Sequence, residues 1–230
     1  MKAALTEAGY FDDYQPKKLL ILGDLFDRGK EARKIQRFIS ELMNKDEVIL
    51  IRGNHEDLYE DLVTVDDGMP YSHHVSNGTY DTAQQLAIYD EMDAYDLASA
   101  GRNTVYYKRL LPSMLNYYET EHYIFVHGWI PCICDKSTFS NTSDWREASD
   151  DMWKQARWVN GMQAYHTVYD NNKTIVCGHW HASFGHAQIE HSGSEFGDDA
   201  DFHPFFGDGI IALDACTAVS GFVNCIVIED

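Results

Sequence analysis

The chain has few basic residues for its length. Its 230 residues include 18 Lys and Arg against 37 Asp and Glu, which gives a formal net charge of −19. Nucleic acids and anionic membranes are bound through basic surfaces, so this balance argues against either as a partner. An enzyme with this charge that acts on phosphate groups would need bound cations to offset the repulsion of its substrate.

Long apolar runs and paired cysteines are also lacking. No stretch approaches the roughly 18 apolar residues of a membrane helix. The N-terminal sequence MKAALTEAGYFDDYQ has no apolar core of a signal peptide. The five cysteines are an odd number without repeated spacing, and Cys132 and Cys134 form C-x-C with no second pair. We therefore expect reduced thiols and a cytoplasmic protein.

Short apolar runs alternate with an amphipathic pattern. Runs at 19–22, 124–126 and 174–177 and in EVILIRGNHE predict buried strands, and KEARKIQRFISELMN predicts a helix. A further strand is expected at NTVYYKRL, and two strands around a Ser-Gly turn are expected at the C-terminus. The alternation is typical of an α/β fold with parallel strands. Without a repeat or a linker, residues 1–230 are expected to form one domain.

Polar residues follow four of the predicted strands. They are Asp24, the pair Asn54 and His55, His127, and His179 with His181. Ligands bind beyond the carboxyl ends of strands in open α/β sheets, so we expect these side chains to lie close together. Each alone is typical of a turn or of a half-buried histidine, but the combination of carboxylate, amide and imidazoles favours a divalent transition metal. The sequence therefore predicts a metal site at the strand ends.

Four motifs resemble those of the calcineurin-like metallophosphoesterases. They are GDLFDRG, IRGNHED, VHGW and CGHWH, in this order and over nearly the whole chain. The resemblance is greatest to the branch with the phosphoprotein (Ser/Thr) phosphatases and the bacterial diadenosine tetraphosphate hydrolases, and SNGTYDT is similar to a stretch of the bacterial members. It implies a four-layer α/β/β/α sandwich with mixed sheets and metal ions at the C-terminal ends of strands.

The resemblance also implies a set of metal ligands. Asp24 would bridge two ions, which would be Mn, Fe or Zn. Asn54, His127 and His179 would complete the coordination of the second ion. His181 matches a ligand of the first ion in the wider superfamily, although the protein-phosphatase branch often does without it.

Other residues of the motifs match catalytic and substrate-binding positions of the family. By the resemblance, His55 donates a proton to the leaving oxygen, Asp27 orients it, and Arg28 holds phosphate oxygens. Asn77 of SNGTYDT is placed among the substrate-binding residues. Arg157 of QARWVNG is either a second phosphate-binding arginine or an ordinary arginine of an amphipathic helix, and the sequence leaves both open.

The family's first motif, Asp-x-His-Gly after a strand, does not occur in this sequence. We therefore expect a chain truncated at its N-terminus, or a natural short form, in which the first ion keeps only Asp24 and His181. One ion should bind firmly at Asp24, Asn54, His127 and His179, and the other site should be weak or empty. A missing strand would expose unpaired backbone groups, through which a homodimer can form.

Three functions remain open at the level of sequence. The first is hydrolysis of phosphomonoesters, as in the Ser/Thr protein phosphatases, by attack of a metal-activated water on a phosphorylated substrate. The second is hydrolysis of dinucleoside polyphosphates at the same site. The third, from a different class, is a metal-binding scaffold with impaired catalysis. Recognition of the leaving group would lie in residues 58–120 and 135–205, where the sequence indicates no specificity.

Overall fold

The computed structural model describes residues 1–12, 17–64, 71–87, 94–136 and 138–229. The chain divides into a middle unit, Lys17–Leu115, and a terminal unit that combines Met1–Pro16 with Asn116–Asp230. The terminal unit includes the first helix, α1 (Lys2–Glu7). Within the described ranges, no helix has the length and apolar character needed to cross a membrane. The prediction that residues 1–230 form one domain stays a prediction.

A two-stranded parallel sheet is the basis of the middle unit. β1 (Leu19–Ile21) pairs with β2 (Val48–Leu50), and α2 (Ala32–Asn44) connects them with Ile39 and Leu42 buried. These two strands and this helix were predicted from the apolar pattern and are confirmed. The helices described after β2 are α3 (Asn54–Thr64), α4 (Tyr71–Asn77), α5 (Thr79–Ala87) and α6 (Ala94–Gly101).

The predicted strand at NTVYYKRL is wrong, because this segment is helical. It forms a π-helical turn, Tyr106–Leu110, and a 3₁₀ turn, Leu111–Ser113. The Thr104 hydroxyl accepts the N–H of Tyr107 at 3.1 Å. A side-chain acceptor of this kind satisfies the first amides of a helix and competes with an extended ladder. Of the two tyrosines that suggested a strand, Tyr106 is buried in the core and Tyr107 is partly buried.

A five-stranded mixed sheet is the framework of the terminal unit. In order across the sheet its strands are β3 (Tyr117–Glu119), β4 (Tyr123–Val126), β7 (Thr174–His181), β9 (Ile210–Asp214) and β8 (Phe205–Gly207). The two inner pairs are parallel and the two outer pairs antiparallel. A separate hairpin joins β5 (Cys132–Asp135) and β6 (Thr138–Asn141). The prediction of an α/β fold with mixed sheets is confirmed.

Helices and large side chains pack around this sheet. The remaining described helices are α7 (Asp150–Ala156), α8 (Gly161–Ala164), α9 (Ser183–Gln188) and α10 (Thr217–Ser220). The core of the unit contains Trp129, Trp153, Ile175 and Ile210, all buried. The predicted strands at 124–126 and 174–177 are confirmed as the buried parts of β4 and β7.

Strand β7 is longer than predicted, since it continues past Cys177 to His181. Its register with β9 shifts between these two residues, which marks a bulge. His179 lies within the bulge and has a φ of +64°. Bulges redirect side chains and occur often next to active sites.

The second of the two strands predicted at the C-terminus is not formed. After β9 the chain enters α10, which ends at Gly221 with a φ of +78°. In the described residues 222–229 no strand occurs. The side-chain amide of Asn224 donates to the carbonyl oxygens of Phe202 and Leu213 at 2.8 and 3.1 Å. A side chain, rather than a backbone ladder, therefore attaches this segment.

Candidate active site

Asp24 and Asn54 follow the two parallel strands of the middle unit at the same edge. Asp24 has a φ of +52°, in the left-handed region that residues other than glycine rarely adopt. A Cβ at Gly53 would lie 2.3 Å from Asp24 Oδ1, so only glycine permits this close approach of the two strand ends. The N–H of His55 donates to Asp24 Oδ1 at 3.1 Å. The structure therefore brings these two sequence motifs together.

A buried carboxylate, Glu56, connects the same two strand ends. Its Oε2 accepts the N–H groups of Asp24 at 2.8 Å and of Gly53 at 2.7 Å. Its Oε1 accepts the N–H of Leu25 at 3.0 Å and the hydroxyl of Tyr106 at 3.2 Å. Glu56 was not among the predicted site residues. The only sequence signal for it is an acid in the first turn of a helix, directly after Asn54 and His55.

Replacement of Glu56 by glutamine is expected to destabilise the fold by about 2–4 kcal/mol. Each carboxylate oxygen accepts two donors, so the amide nitrogen of glutamine faces two donors in either orientation. Denaturant unfolding measures the loss. Tyr106→Phe is the matched control because it removes only one of these hydrogen bonds, and it should cost about 1 kcal/mol. Equal losses for the two variants would contradict the role of Glu56.

His55 and Asp27 form a hydrogen-bonded pair. His55 Nδ1 lies 2.6 Å from Asp27 Oδ2, and the opposite ring nitrogen, Nε2, lies 4.0 Å from Asp24 Oδ2. Two hydroxyls hold the Asp27 carboxylate: Thr79 donates to Oδ2 at 2.7 Å and Thr82 to Oδ1 at 2.6 Å. The imidazole is thus fixed in orientation, with Nε2 directed towards Asp24. Thr79 was missed from the sequence, although it lies within SNGTYDT.

The surroundings of His55 favour its charged form. Burial acts to lower the pKa of His55, but the hydrogen bond to Asp27 and the negative charges of Asp24 and Asp27 outweigh this effect. The positive charge of Arg28 opposes them in part. The net result is a pKa raised above the ordinary value for histidine. A protonated imidazole at this place can act as a general acid.

Arg28 follows Asp27 directly, and its charge acts on His55. Its φ is +64°, and its guanidinium donates from Nη2 to Asn77 Oδ1 at 3.1 Å. Asn77 in turn donates from Nδ2 to the carbonyl oxygen of His73 at 2.9 Å. A Cβ at Gly78 would lie 2.6 Å from Arg28 N, so this close approach of the two backbones requires glycine. Asn77, predicted to bind substrate, therefore orients the side chain of Arg28.

In the terminal unit, His127 and His179 face each other. His127 follows β4 and is buried, whereas His179 lies in the bulge of β7. Their ring centroids are 5.2 Å apart, and each ring offers a nitrogen ligand within 4.8 Å of the other. The N–H of Gly178 donates to the carbonyl oxygen of His127 at 2.7 Å and fixes the spacing of the two strands. Two imidazoles at this separation can ligate one ion.

His181 lies in a different set of contacts within the same unit. Its Nδ1 is 2.8 Å from the hydroxyl of Ser183, and its Nε2 is 3.4 Å from a carboxylate oxygen of Glu195. Burial lowers the pKa of His181, against the charges of Glu195 and Asp214. The assignment of His181 to a metal stays a prediction.

Arg157 is a buried side chain. It directs Nη2 to Asn116 Oδ1 at 2.5 Å, and it caps the C-terminal end of α7. Its assignment to substrate binding stays a prediction.

Comparison with known families gives one match. The model of the calcineurin-like phosphoesterases matches residues 3–201, which include all the candidate residues named above. A comparison with curated proteins gave no match. Membership of the family supports hydrolysis of phosphoesters with divalent metal ions, as the resemblance implied. This chain belongs to the calcineurin-like phosphoesterases.

Proposed function

We propose that this chain hydrolyses phosphomonoesters with a divalent cation held by Asp24, Asn54, His127 and His179. The donor set fits such an ion: one carboxylate, one amide oxygen and two imidazoles suit Mn, Fe or Zn. Asp24, His127 and His179 are of the residue types that could hold a metal ion. When bound, the cation supplies an activated water as nucleophile and neutralises charge on the phosphoryl oxygens.

The observation that carries this proposal is the pair of His55 and Asp27. Hydrolysis of an alkyl phosphate leaves an alkoxide, which needs a proton as the bond to phosphorus breaks. His55 Nε2 would donate this proton, because Nδ1 is engaged by Asp27 at 2.6 Å and Nε2 faces Asp24 at 4.0 Å. A metal-binding scaffold would have no use for an imidazole fixed in this way.

Local positive charge supports the binding of a phosphate group. A cavity of about 390 Å³ in the middle unit is lined by three basic residues, Arg28, Lys30 and Arg33, and by one acid, Asp81. This local excess of cations occurs in a chain whose net charge is −19, and one of the three, Arg28, is near enough to His55 for its charge to act on the imidazole. A basic cavity raises the local concentration of an anionic substrate. The planar guanidinium of Arg28, in particular, can hold two phosphate oxygens.

A substrate panel tests the proposal. The purified chain with Mn is assayed on p-nitrophenyl phosphate, bis-p-nitrophenyl phosphate, a phosphoserine peptide and diadenosine tetraphosphate. We expect the monoesters to be cleaved faster than the diester. Faster turnover of the phosphoserine peptide than of the small esters would assign the chain to the Ser/Thr phosphoprotein type. Faster turnover of diadenosine tetraphosphate would favour the dinucleoside polyphosphate class instead. No turnover of any substrate by the metal-loaded chain would favour the scaffold.

A further inference from the structure

Two tryptophans beside His179 are exposed to solvent. Trp158 follows α7 and is 50% exposed, and Trp180 lies in β7 and is 36% exposed. Phe196, in the loop after α9, is 58% exposed. Large aromatic side chains are usually well buried, and a group of them left in water marks a binding surface.

These three side chains border the histidines of the terminal unit. The rings of Trp158 and Trp180 contact His179 with centroid distances of 5.8 and 6.1 Å and interplanar angles of 80° and 61°. Phe196 lies 4.6 Å from His181, and Trp180 lies 5.7 Å from the same ring. We call Trp158, Trp180 and Phe196 the aromatic rim. The aromatic rim borders both His179 and His181.

We propose that the aromatic rim binds a planar aromatic ring in the alcohol part of the substrate. The inference rests on the proposed function: if His179 ligates the ion that holds the phosphate, the group esterified to that phosphate lies beside the rim. Indole and phenyl side chains bind planar rings by stacking and by edge contacts. They offer no comparable gain to a short alkyl group. The rim therefore selects aryl or nucleoside phosphates over alkyl phosphates.

Kinetics with matched substrates test this selection. Phenyl phosphate and ethyl phosphate carry the same phosphate on an aromatic and an aliphatic group, and adenosine 5′-monophosphate carries a nucleobase. For Trp158→Ala and Trp180→Ala we expect KM for phenyl phosphate to rise about tenfold, with KM for ethyl phosphate changed less than twofold. Trp158→Phe and Trp180→Phe keep a ring and should restore most of the preference. A rise of KM for adenosine 5′-monophosphate alone would assign the rim to nucleobases, within the same proposal.

A control variant and a binding assay separate this inference from the proposed function. Phe206→Ala on β8 removes a side chain that is 59% exposed, and it should change neither KM. Binding of phenylphosphonate and methylphosphonate, measured by calorimetry with Mn present, needs no turnover. Tighter binding of phenylphosphonate that is lost in Trp158→Ala supports the rim even if no substrate is cleaved.

Three results would overturn the inference. The first is an equal loss for phenyl and ethyl phosphate in the tryptophan variants, which would indicate a structural role near His179. The second is a preference over ethyl phosphate that is unchanged in both variants, for phenyl phosphate and for adenosine 5′-monophosphate alike. The third is a dimer of the native chain that becomes monomeric in Trp158→Ala or Trp180→Ala, since the rim would then be an interface between two copies.

Discussion

Replacement of His55 by asparagine is expected to lower kcat for an alkyl phosphate by about 10²–10⁴-fold. The imidazole Nε2 faces Asp24, and the Asp27 carboxylate holds the opposite ring nitrogen, Nδ1. Without it, the alkoxide leaves unprotonated. Asparagine keeps a polar side chain of moderate size, so the fold and the neighbouring Asn54 should be little disturbed. Steady-state kinetics with ethyl phosphate measure the loss.

The leaving group provides the internal control for this prediction. Because p-nitrophenolate is a stable anion, its departure needs little help from an acid. The same variant should therefore lose much less activity on p-nitrophenyl phosphate than on ethyl phosphate. Asp27→Asn should likewise lose more activity on ethyl phosphate than on p-nitrophenyl phosphate, but the loss should be smaller than for the His55 variant. This substitution removes the partner that sets the tautomer of His55. An equal loss on both substrates would contradict the role of His55 as a general acid and would indicate damage to substrate or metal binding.

The sequence was sufficient for the four strands that precede the candidate site residues, β1, β2, β4 and β7, and for the polar residues that follow them. Apolar runs that end in glycine and a polar residue are local signals, so Asp24 and the pair Asn54 and His55 could be placed at one sheet edge before any coordinates were known. Asp27 and Arg28 could be assigned only through the family resemblance. Neither residue differs by its type from an ordinary turn residue.

Contacts between distant segments could not be predicted in the same way. In the sequence, Glu56 is indistinguishable from any acid of an amphipathic helix. In the structure it accepts hydrogen bonds from the backbone N–H groups at two strand ends and from the hydroxyl of Tyr106. Thr79 is of a type common at helix starts, but in the structure its hydroxyl donates a hydrogen bond to the Asp27 carboxylate. Asp24 and Tyr106 lie 32 and 50 positions from Glu56, and Asp27 lies 52 positions from Thr79. Tertiary packing therefore selects both roles. The bulge at His179 arises from the pairing of β7 with β9 and is likewise invisible in the sequence.

Elemental analysis of the purified chain is expected to find one firmly bound divalent ion per chain. In the proposed assignment, Asp24, Asn54, His127 and His179 would hold one ion. Among the candidate ligands, Asp24 and His181 would remain for a second. Two protein ligands are too few for tight binding of a transition metal, which typically has at least three. Treatment with a chelator should remove both the ion and the phosphatase activity, and Mn should restore them. Two ions retained through dialysis would contradict the single firm site.

Substitution of two histidines of the same strand, His179 and His181, tests where that ion binds. His179→Ala is expected to weaken metal binding by more than about a hundredfold, because loss of a ligand should exceed the 10–100-fold cost of losing an outer-shell partner. His181→Ala is the matched control, two residues along β7 and likewise a histidine, with its ring nitrogens near Ser183 and Glu195. It should keep the firm ion, although it removes the ligand proposed for the weak site. Loss of the ion in His181→Ala and its retention in His179→Ala would reverse the assignment. The aromatic rim would still lie beside the ion in that case, because Phe196 and Trp180 also border His181.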